Sequence, residues 1–255
     1  NSTANHLNQE CYCKTLDKEL LLQLLKDDNL AAEILVSHPQ LFSNTAVFIS
    51  TEQWQQLQKI VTAIENLVHS AKAQQTFAQH EIKRNDSAGV FIGIDFHMST
   101  TGPKVIEINT NAGGGFLNAA LLAAQTACCE VLNPAFPLKE KQLHHEFVAM
   151  FQQEWSLCRG ERPLKTIAIV DQKPESQFLY PEFRVAQSVL EKAGFIVWIL
   201  DPSDITWNGE DLIYQNQKID LIYNRLTDFN LSEPSHQHLR QAYEKNAVVI
   251  TPNPF

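Results

Sequence analysis

Long apolar runs and clusters of basic residues are both missing from this sequence of 255 residues. It contains neither a membrane-length run of about 18 apolar residues nor a signal-peptide core, so we expect a cytoplasmic protein with no membrane contact. Lys and Arg never occur in longer runs than pairs, and the formal net charge is −9, which argues against nucleic-acid binding. An acidic chain can still bind ATP, because a metal ion bridges its carboxylates to the phosphates.

Paired cysteine motifs are also missing. Cys11 and Cys13 form C-x-C, and Cys128 and Cys129 are adjacent, so neither pair has the C-x2-C spacing of a zinc site. We interpret these four and Cys158 as reduced thiols of a cytosolic protein. A catalytic cysteine is an alternative that no neighbouring motif supports.

A dinucleotide-binding loop is missing from the C-terminal part, although its strands and helices alternate as in a Rossmann fold. The segment "VDQKPES" follows the first strand where G-x-G-x-x-G would stand, which argues against a dinucleotide cofactor. Short apolar runs alternating with helical stretches predict a parallel, doubly wound sheet. The predicted strands are 166–171, 195–201, 220–225 and 247–252, and the predicted helices are 180–193 and 232–245.

The N-terminal part is predicted to be mainly helical. Leucines at helical spacing predict a helix over 16–27, and Ser50 or Thr51 caps an amphipathic helix to about residue 78 whose apolar side we expect to pack in a core. We therefore predict an α/β fold. A helical region with an antiparallel β-hairpin spans 1–162, and a Rossmann-like parallel α/β domain that binds substrate spans 163–255.

The predicted hairpin joins "VFIGIDFHM" to "KVIEINT" through "STTGP". Side chains alternate between the faces of a strand, so the Ile/Phe set is expected on the core side and the acidic set on the other. A five-residue loop over 99–103 would place Met98 opposite Lys104 and Asp95 opposite Glu107. A shift by one residue would set apolar side chains over polar ones.

Opposed carboxylates repel by up to about 1 kcal/mol, so the pairing of Asp95 with Glu107 needs an offset. Either one of the two has a raised pKa, or a cation is bound between them. Asn109 adds a neutral oxygen on the same face, and these are the ligand types that Mg²⁺ prefers. The alternative is an ordinary solvated strand face.

A glycine-rich segment, "TNAGGG", follows the hairpin and precedes a predicted helix. Such glycines allow a ligand to approach the backbone closely, and the helix N-terminus would favour an anion. The alternative is a simple turn. A second candidate is the end of the strand "DLIYNR", where open α/β sheets bind ligands. There Arg225 could hold a substrate carboxylate with Asp228 beside it, or the two could form a surface ion pair; the spacing favours neither.

Together, these segments resemble a known family. "GIDFHMSTTGPKVIEINTNAGGGFL" is similar to the metal and substrate hairpin of eukaryotic-type glutathione synthetases, which belong to the ATP-grasp superfamily. In that family an inserted hairpin leads into a strand resembling "DLIYNR", and this sequence has the same order. The resemblance covers about 85–255, and it extends to uncharacterised bacterial ATP-grasp-like proteins that carry "IEINTNAGG".

The resemblance implies an ATP- and Mg²⁺-dependent carboxylate–amine ligase that forms an acyl phosphate and then an amide. Its partners would be a small-molecule acid and an amine, and relatives are often homodimers. Glu107 and Asn109 would hold the metal. The residues implied for the acid substrate are Asp95, Arg225, Asn111 and the backbone of Gly113, Gly114 and Gly115.

Two departures from the family bear on the substrate. Gly93 stands where the glutathione synthetases carry an arginine, and Ala112 and the glycines stand where they carry serines. Both residue types contact γ-glutamylcysteine in the family, so we do not expect that substrate here.

The family's ATP-holding lysines and lid lie beyond the equivalent of Phe255. We therefore expect that the intact protein continues and that these 255 residues alone do not turn over ATP. The alternative is a non-catalytic module that binds a small molecule or peptide and lacks the nucleotide half.

Overall fold

The structure is a computed structural model that describes residues 2–10, 16–24, 41–45, 47–77, 87–124 and 140–253. The described helices are α1 (Ser2–Glu10), α2 (Lys18–Leu24), α3 (Thr51–Val68), α4 (Ala71–Phe77), α5 (Gly115–Ala124), α6 (Glu140–Arg159), α7 (Tyr180–Lys192) and α8 (Gln237–Glu244). The described strands are β1 (Gly93–Ser99), β2 (Gly102–Asn109), β3 (Thr166–Val170), β4 (Ile196–Leu200), β5 (Thr206–Trp207), β6 (Leu212–Tyr214), β7 (Gln217–Lys218), β8 (Leu221–Asn224) and β9 (Val249–Thr251). The predicted α/β class is confirmed.

Four parallel strands form the central sheet in the order β4-β3-β8-β9. The chain leaves β3 for β4 at one edge and then returns to β8 on the other side of β3. The carboxyl ends of β3 and β8 therefore flank the point where the strand order reverses, which is where open α/β sheets form a ligand crevice. The inserted hairpin is also present, because β6 and β7 pair around Gln215 and Asn216, which both have positive φ.

Apolar residues cover both faces of this sheet. One cluster packs Ile167 and Tyr223 of the sheet against α5, α6 and α7, and the other packs Ile222 and Ile250 around α8. The first cluster includes Phe116 and Phe151, so residues on both sides of the predicted boundary at 162/163 share one core. The boundary itself stays a prediction.

Helix α3 begins with a capping box, in which Ser50 accepts from the Gln53 amide and the Gln53 side chain accepts from the Ser50 amide. It lies against β2 and ends at Val68, about ten residues earlier than predicted. The prediction that its apolar side packs in a core is wrong. None of its residues is buried, and Leu67 is 67% exposed, because the sheet it meets covers too little of that side.

Several predictions fall outside the described residues, including those on Cys11, Cys13, Cys128 and Cys129 and on residues 25–27 of the first predicted helix. Within the described part, the helix over 16–27 is confirmed as α2. No helix in the described part has both the length and the apolar character that a membrane crossing requires.

Candidate functional site

The hairpin of β1 and β2 places Asp95 directly opposite Glu107, as predicted. The predicted five-residue loop is wrong. Only Thr100 and Thr101 lie between the strands, and Met98 faces Pro103 instead of Lys104.

A β-bulge reconciles the short loop with the pairing of the acids. Below the loop the register pairs Phe96 with Val105, and a regular hairpin would continue by pairing Asp95 with Ile106. The register instead shifts at this point, Ile106 is the extra residue, and Asp95 meets Glu107. Bulges of this kind redirect side chains and are frequent beside active sites.

The acidic face of the hairpin is turned towards the glycine-rich segment. Gly93 shares this face with Asp95 by strand alternation, and a Cβ added at Gly93 would lie 3.1 Å from the Cβ of Ala112 and 3.6 Å from that of Asn109. Asp95 and Glu107 are exposed, and Asn109 is half-buried. Two carboxylates and an amide oxygen on one face suit a hard cation such as Mg²⁺.

No group of three or more His, Cys, Asp and Glu side chains in the described part of the chain lies close enough to hold a metal ion. A cation bound at this hairpin would therefore draw the rest of its ligands from the Asn109 amide, water or a bound phosphate.

The Ile/Phe side of the hairpin was expected to face the core, and this prediction is wrong for much of that side. Ile92, Ile106 and Ile108 are exposed, with Ile106 at 66%, whereas Val90 is buried and Ile94 and Phe96 are half-buried. On the opposite face Asp95 and Glu107 are exposed, and Phe91 turns inward, where its ring packs edge-on against Phe116. Phe91 thus anchors the start of the hairpin to the core.

Arg225 ties the glycine-rich segment to the sheet. Its Nη1 donates to the backbone carbonyls of Asn111 and Ala112, the latter at 2.8 Å. The side-chain amide of Asn111 in turn donates to the backbone carbonyl of Leu226. A Cβ at Gly113 would lie 2.7 Å from Nη2 of Arg225 and 2.8 Å from Cδ1 of Leu179, so a larger residue there would have to displace the ends of both side chains. Asn111, Gly113 and Arg225 are thereby brought together, as the family resemblance implied, and Gly114 follows directly in a left-handed conformation (φ +88°).

The N-terminus of α5 already carries an anion from the protein itself. The carboxylate of Glu182, on α7, accepts from the amides of Phe116 and Leu117 at 3.1 and 2.9 Å. Glu182 is fully buried, and this burial raises its pKa against the opposing effect of those amides. The helix end thus attracts a carboxylate from a side chain 66 residues away, so these two amides are already engaged, and binding of a ligand anion here stays a prediction.

Arg225 is 9% exposed, and its Nε is buried without a hydrogen-bond partner. The buried hydroxyl of Tyr223 also lacks one, and the guanidinium carbon lies 5.5 Å from the centre of that ring. The alternative of a surface pair between Arg225 and Asp228 is wrong, because within the described residues the two form no ion pair.

Asp228 instead holds the loop that follows β8. Its carboxylate accepts from the Glu233 amide and the Ser232 hydroxyl and contacts Nδ1 of His236 at 2.8 Å. Burial acts to raise the pKa of Asp228, but these hydrogen bonds outweigh it and hold the pKa at about 2. Its role towards a substrate stays a prediction.

Asp171 is a residue of this region that sequence reasoning missed. It directly follows β3 and lies at the strand-order reversal together with Arg225, which directly follows β8. Burial raises the pKa of Asp171 to about 6, although the Gln172 amide and the charge of Arg225 act to lower it. The signal was present in the sequence, since an Asp immediately after a buried strand occupies the same relative position as Arg225.

Comparison with known proteins gives a structural relative. The fold matches a glutathione synthetase-like effector from Globodera pallida with a TM-score of 0.52 and 15% sequence identity, over 94% of this chain and 73% of that chain. The likeness supports a glutathione synthetase-like fold. No family model and no curated protein matches the sequence.

At this level of identity the likeness concerns the fold alone. The hairpin contacts the glycine-rich segment, and that segment contacts the crevice at β3 and β8. Phe91 and Gly93 make the first of these contacts, and Arg225 makes the second.

Proposed function

We propose that this chain is the substrate-binding portion of an ATP- and Mg²⁺-dependent carboxylate–amine ligase. The observation that carries the proposal is the bulged hairpin, which sets Asp95 opposite Glu107 with Asn109 on the same face. The similarity of the fold to a glutathione synthetase-like effector supports it.

In the proposed reaction a substrate carboxylate oxygen takes the γ-phosphoryl group of ATP, which releases ADP. An amine then attacks the acyl carbon, and phosphate leaves as the amide forms. Mg²⁺, when held by Glu107 and Asn109, would offset the charge of the phosphates. The chain's own residues would orient the acid, with Asp95 and Asn111 beside it and the Gly113 and Gly114 backbone beneath it.

Arg225 contributes to this proposal mainly by placing the glycine-rich segment. Its Nη1 donates to two backbone carbonyls, and its buried Nε lacks an acceptor. A substrate carboxylate would supply such an acceptor.

One observation favours a second function, a non-catalytic module that binds a small molecule or peptide. Glu182 fills the helix end beside the glycine-rich segment, which removes one anion position that a ligase could use. The intact open reading frame separates the two functions. A further domain with lysines and a glycine-rich lid supports the ligase, and its absence supports the binding module.

The binding test measures the melting temperature of the intact protein with and without Mg-ATP. A ligand at 100 times its Kd adds about 2.7 kcal/mol to native stability, which raises the Tm by roughly 5–10 °C. Glu107→Ala should remove most of this rise. The exposed Glu191 on α7 supplies the control, because Glu191→Ala removes the same charge away from the hairpin. An equal rise in the Glu107 and Glu191 variants would exclude Glu107 from metal binding.

A further inference from the structure

A second cavity lies at the edge of the parallel sheet opposite to the crevice. It occupies about 570 Å³, a volume typical of small-molecule sites, and it opens where β3, β4 and β8 begin. Thr166 and Ile196 are the first residues of β3 and β4, and Asp220 directly precedes β8. The proposed ligase site uses the carboxyl ends of these strands, so the two regions are separated by the length of the sheet.

Four cationic side chains of the described residues line this cavity: Arg159, Arg162, Lys165 and Lys218. Asp220 is the one carboxylate among the described lining residues, which leaves these side chains with a charge of +3 in a chain whose formal net charge is −9. Like charges gathered in this way repel one another, and a bound anion relieves the repulsion.

Hydrogen bonds within the wall fix the backbone that carries these cations. The Trp155 indole donates to the Arg162 carbonyl, and the Thr166 hydroxyl donates to the Lys218 carbonyl at 2.8 Å. Asp220 accepts from the amides of Lys165 and Thr166 at 3.0 and 3.2 Å. Three of the four cationic residues are therefore held by contacts of their own backbone.

The cationic heads are only partly neutralised. Lys218 forms an ion pair with Asp211. Arg159 donates hydrogen bonds to Asn246 and stacks on Trp155, with 5.8 Å between its guanidinium carbon and the ring centre. No carboxylate of the described residues pairs with the exposed side chains of Arg162 or Lys165. Burial lowers the pKa of Arg159 and the charge of Arg162 lowers it further, although Cys158 and Asp220 oppose this.

The cavity also has an apolar wall. Ile196 is 48% exposed at its rim, and Pro163 and Ala247 complete this side. A ligand that fills the cavity would thus combine a multiply charged anionic group with an apolar or ring-shaped part.

We propose that this cavity binds a small organic anion, with its phosphate or carboxylate group held by Arg162 and Lys165 and its apolar part against Ile196 and Pro163. The site is separate from the proposed ligase site and does not depend on Mg²⁺. It takes its affinity from charge-assisted hydrogen bonds to two cations that have no carboxylate partner within the described chain.

The test is calorimetric titration in EDTA with four probes: pyrophosphate, citrate, AMP and adenosine. We expect at least one of the anions to bind and adenosine not to bind. Because its ring can contact the apolar wall, AMP should bind more tightly than its charge alone would give. Pyrophosphate without citrate would identify a phosphate ligand, and the reverse a carboxylate ligand. Failure of all three anions at millimolar concentration would overturn the proposal.

The double variant Arg162→Gln/Lys165→Gln should raise the Kd of the bound probe by about tenfold or more, because it removes both charged donors. Lys18→Gln/Lys59→Gln is the matched control, since these exposed lysines carry the same total charge and do not line the cavity. Equal weakening in both double variants would mean general charge attraction and would overturn the site. Glu107→Ala should leave this binding unchanged, which keeps the result independent of the ligase proposal.

Discussion

Asp171 is the residue through which the crevice should respond to pH. Its pKa of about 6 lies above the value of about 3.9 for an unfolded Asp, so the folded protein binds this proton more tightly. The stability contributed by protonated Asp171 is complete below about pH 4 and is lost as the pH rises past about 6.

We therefore expect Asp171→Asn to flatten the fall in unfolding free energy between pH 4 and 6. Urea unfolding at steps of half a pH unit measures this slope. Glu210→Gln removes an exposed carboxyl and serves as the control. A slope for Asp171→Asn that parallels the wild type would show that this carboxyl does not titrate there.

Strand alternation together with an assumed five-residue loop predicted the pairing of Asp95 with Glu107, because a one-residue shift would mix apolar and polar faces. It could not reveal the bulge at Ile106. The two-residue loop shifts the strand register by one residue and the bulge shifts it back, so Asp95 still pairs with Glu107. Glu182 was equally invisible, because nothing local marks which distant carboxylate will reach a helix end. Residue patterns thus predicted which groups meet on neighbouring strands. The approach of Arg225 to the glycine-rich segment followed only from the family resemblance, and the contact of Glu182 with α5 was missed.

At the scale of elements, one buried carboxylate links α5 to α7 beside the apolar packing of Phe116 and Phe183 in their shared core. Both carboxylate oxygens of Glu182 accept hydrogen bonds from the first turn of α5. They supply acceptors for two amides at the helix end and place negative charge at the positive end of the helix dipole. This contact also holds the glycine-rich segment that immediately precedes α5.

Glu182→Ala should lower the free energy of unfolding by about 2–4 kcal/mol, because two buried amides lose their acceptor. Glu182→Gln keeps one carbonyl acceptor and should cost less. Chemical denaturation measures both, with the exposed Glu191→Ala on the same helix as the control. A loss for Glu182→Ala no larger than that for Glu191→Ala would show that the contact does not support the helix end.

The parallel strands and their helices were predicted correctly, because their short apolar runs alternate with amphipathic stretches. The amphipathic pattern of α3 was also real, but it shows only that a helix has an apolar side. Whether another element covers that side depends on tertiary packing, and in the described structure Trp54 and Leu67 are left exposed.

At the scale of the whole molecule, exposed apolar side chains concentrate on α3 and the hairpin. The largest exposed fractions there belong to Leu67, Ile106, Ile92 and Trp54. Contiguous apolar surface is usually covered by a partner or by more of the same protein.

Leu67→Gln/Ile106→Gln in the 255-residue chain should reduce the fluorescence of a bound apolar dye such as ANS. Each change should alter the unfolding free energy by no more than about 0.5 kcal/mol, since neither side chain is in a core. Leu157→Gln/Phe229→Gln, at exposed positions outside the hairpin and α3, should leave the dye signal nearly unchanged. Equal signals from both pairs would argue that the apolar side chains on α3 and the hairpin do not act as one surface.

The core shared across the two halves has a consequence for how the chain is made. Phe116 and Phe151 finish their packing against strands that end with β9, so the ribosome must complete Val249 before their cluster can close. About a hundred residues separate Phe151 from Val249, which takes roughly 5–20 s at usual rates of synthesis. During that interval the nascent chain carries an open aromatic surface, and we expect it to need a chaperone until the last strand emerges.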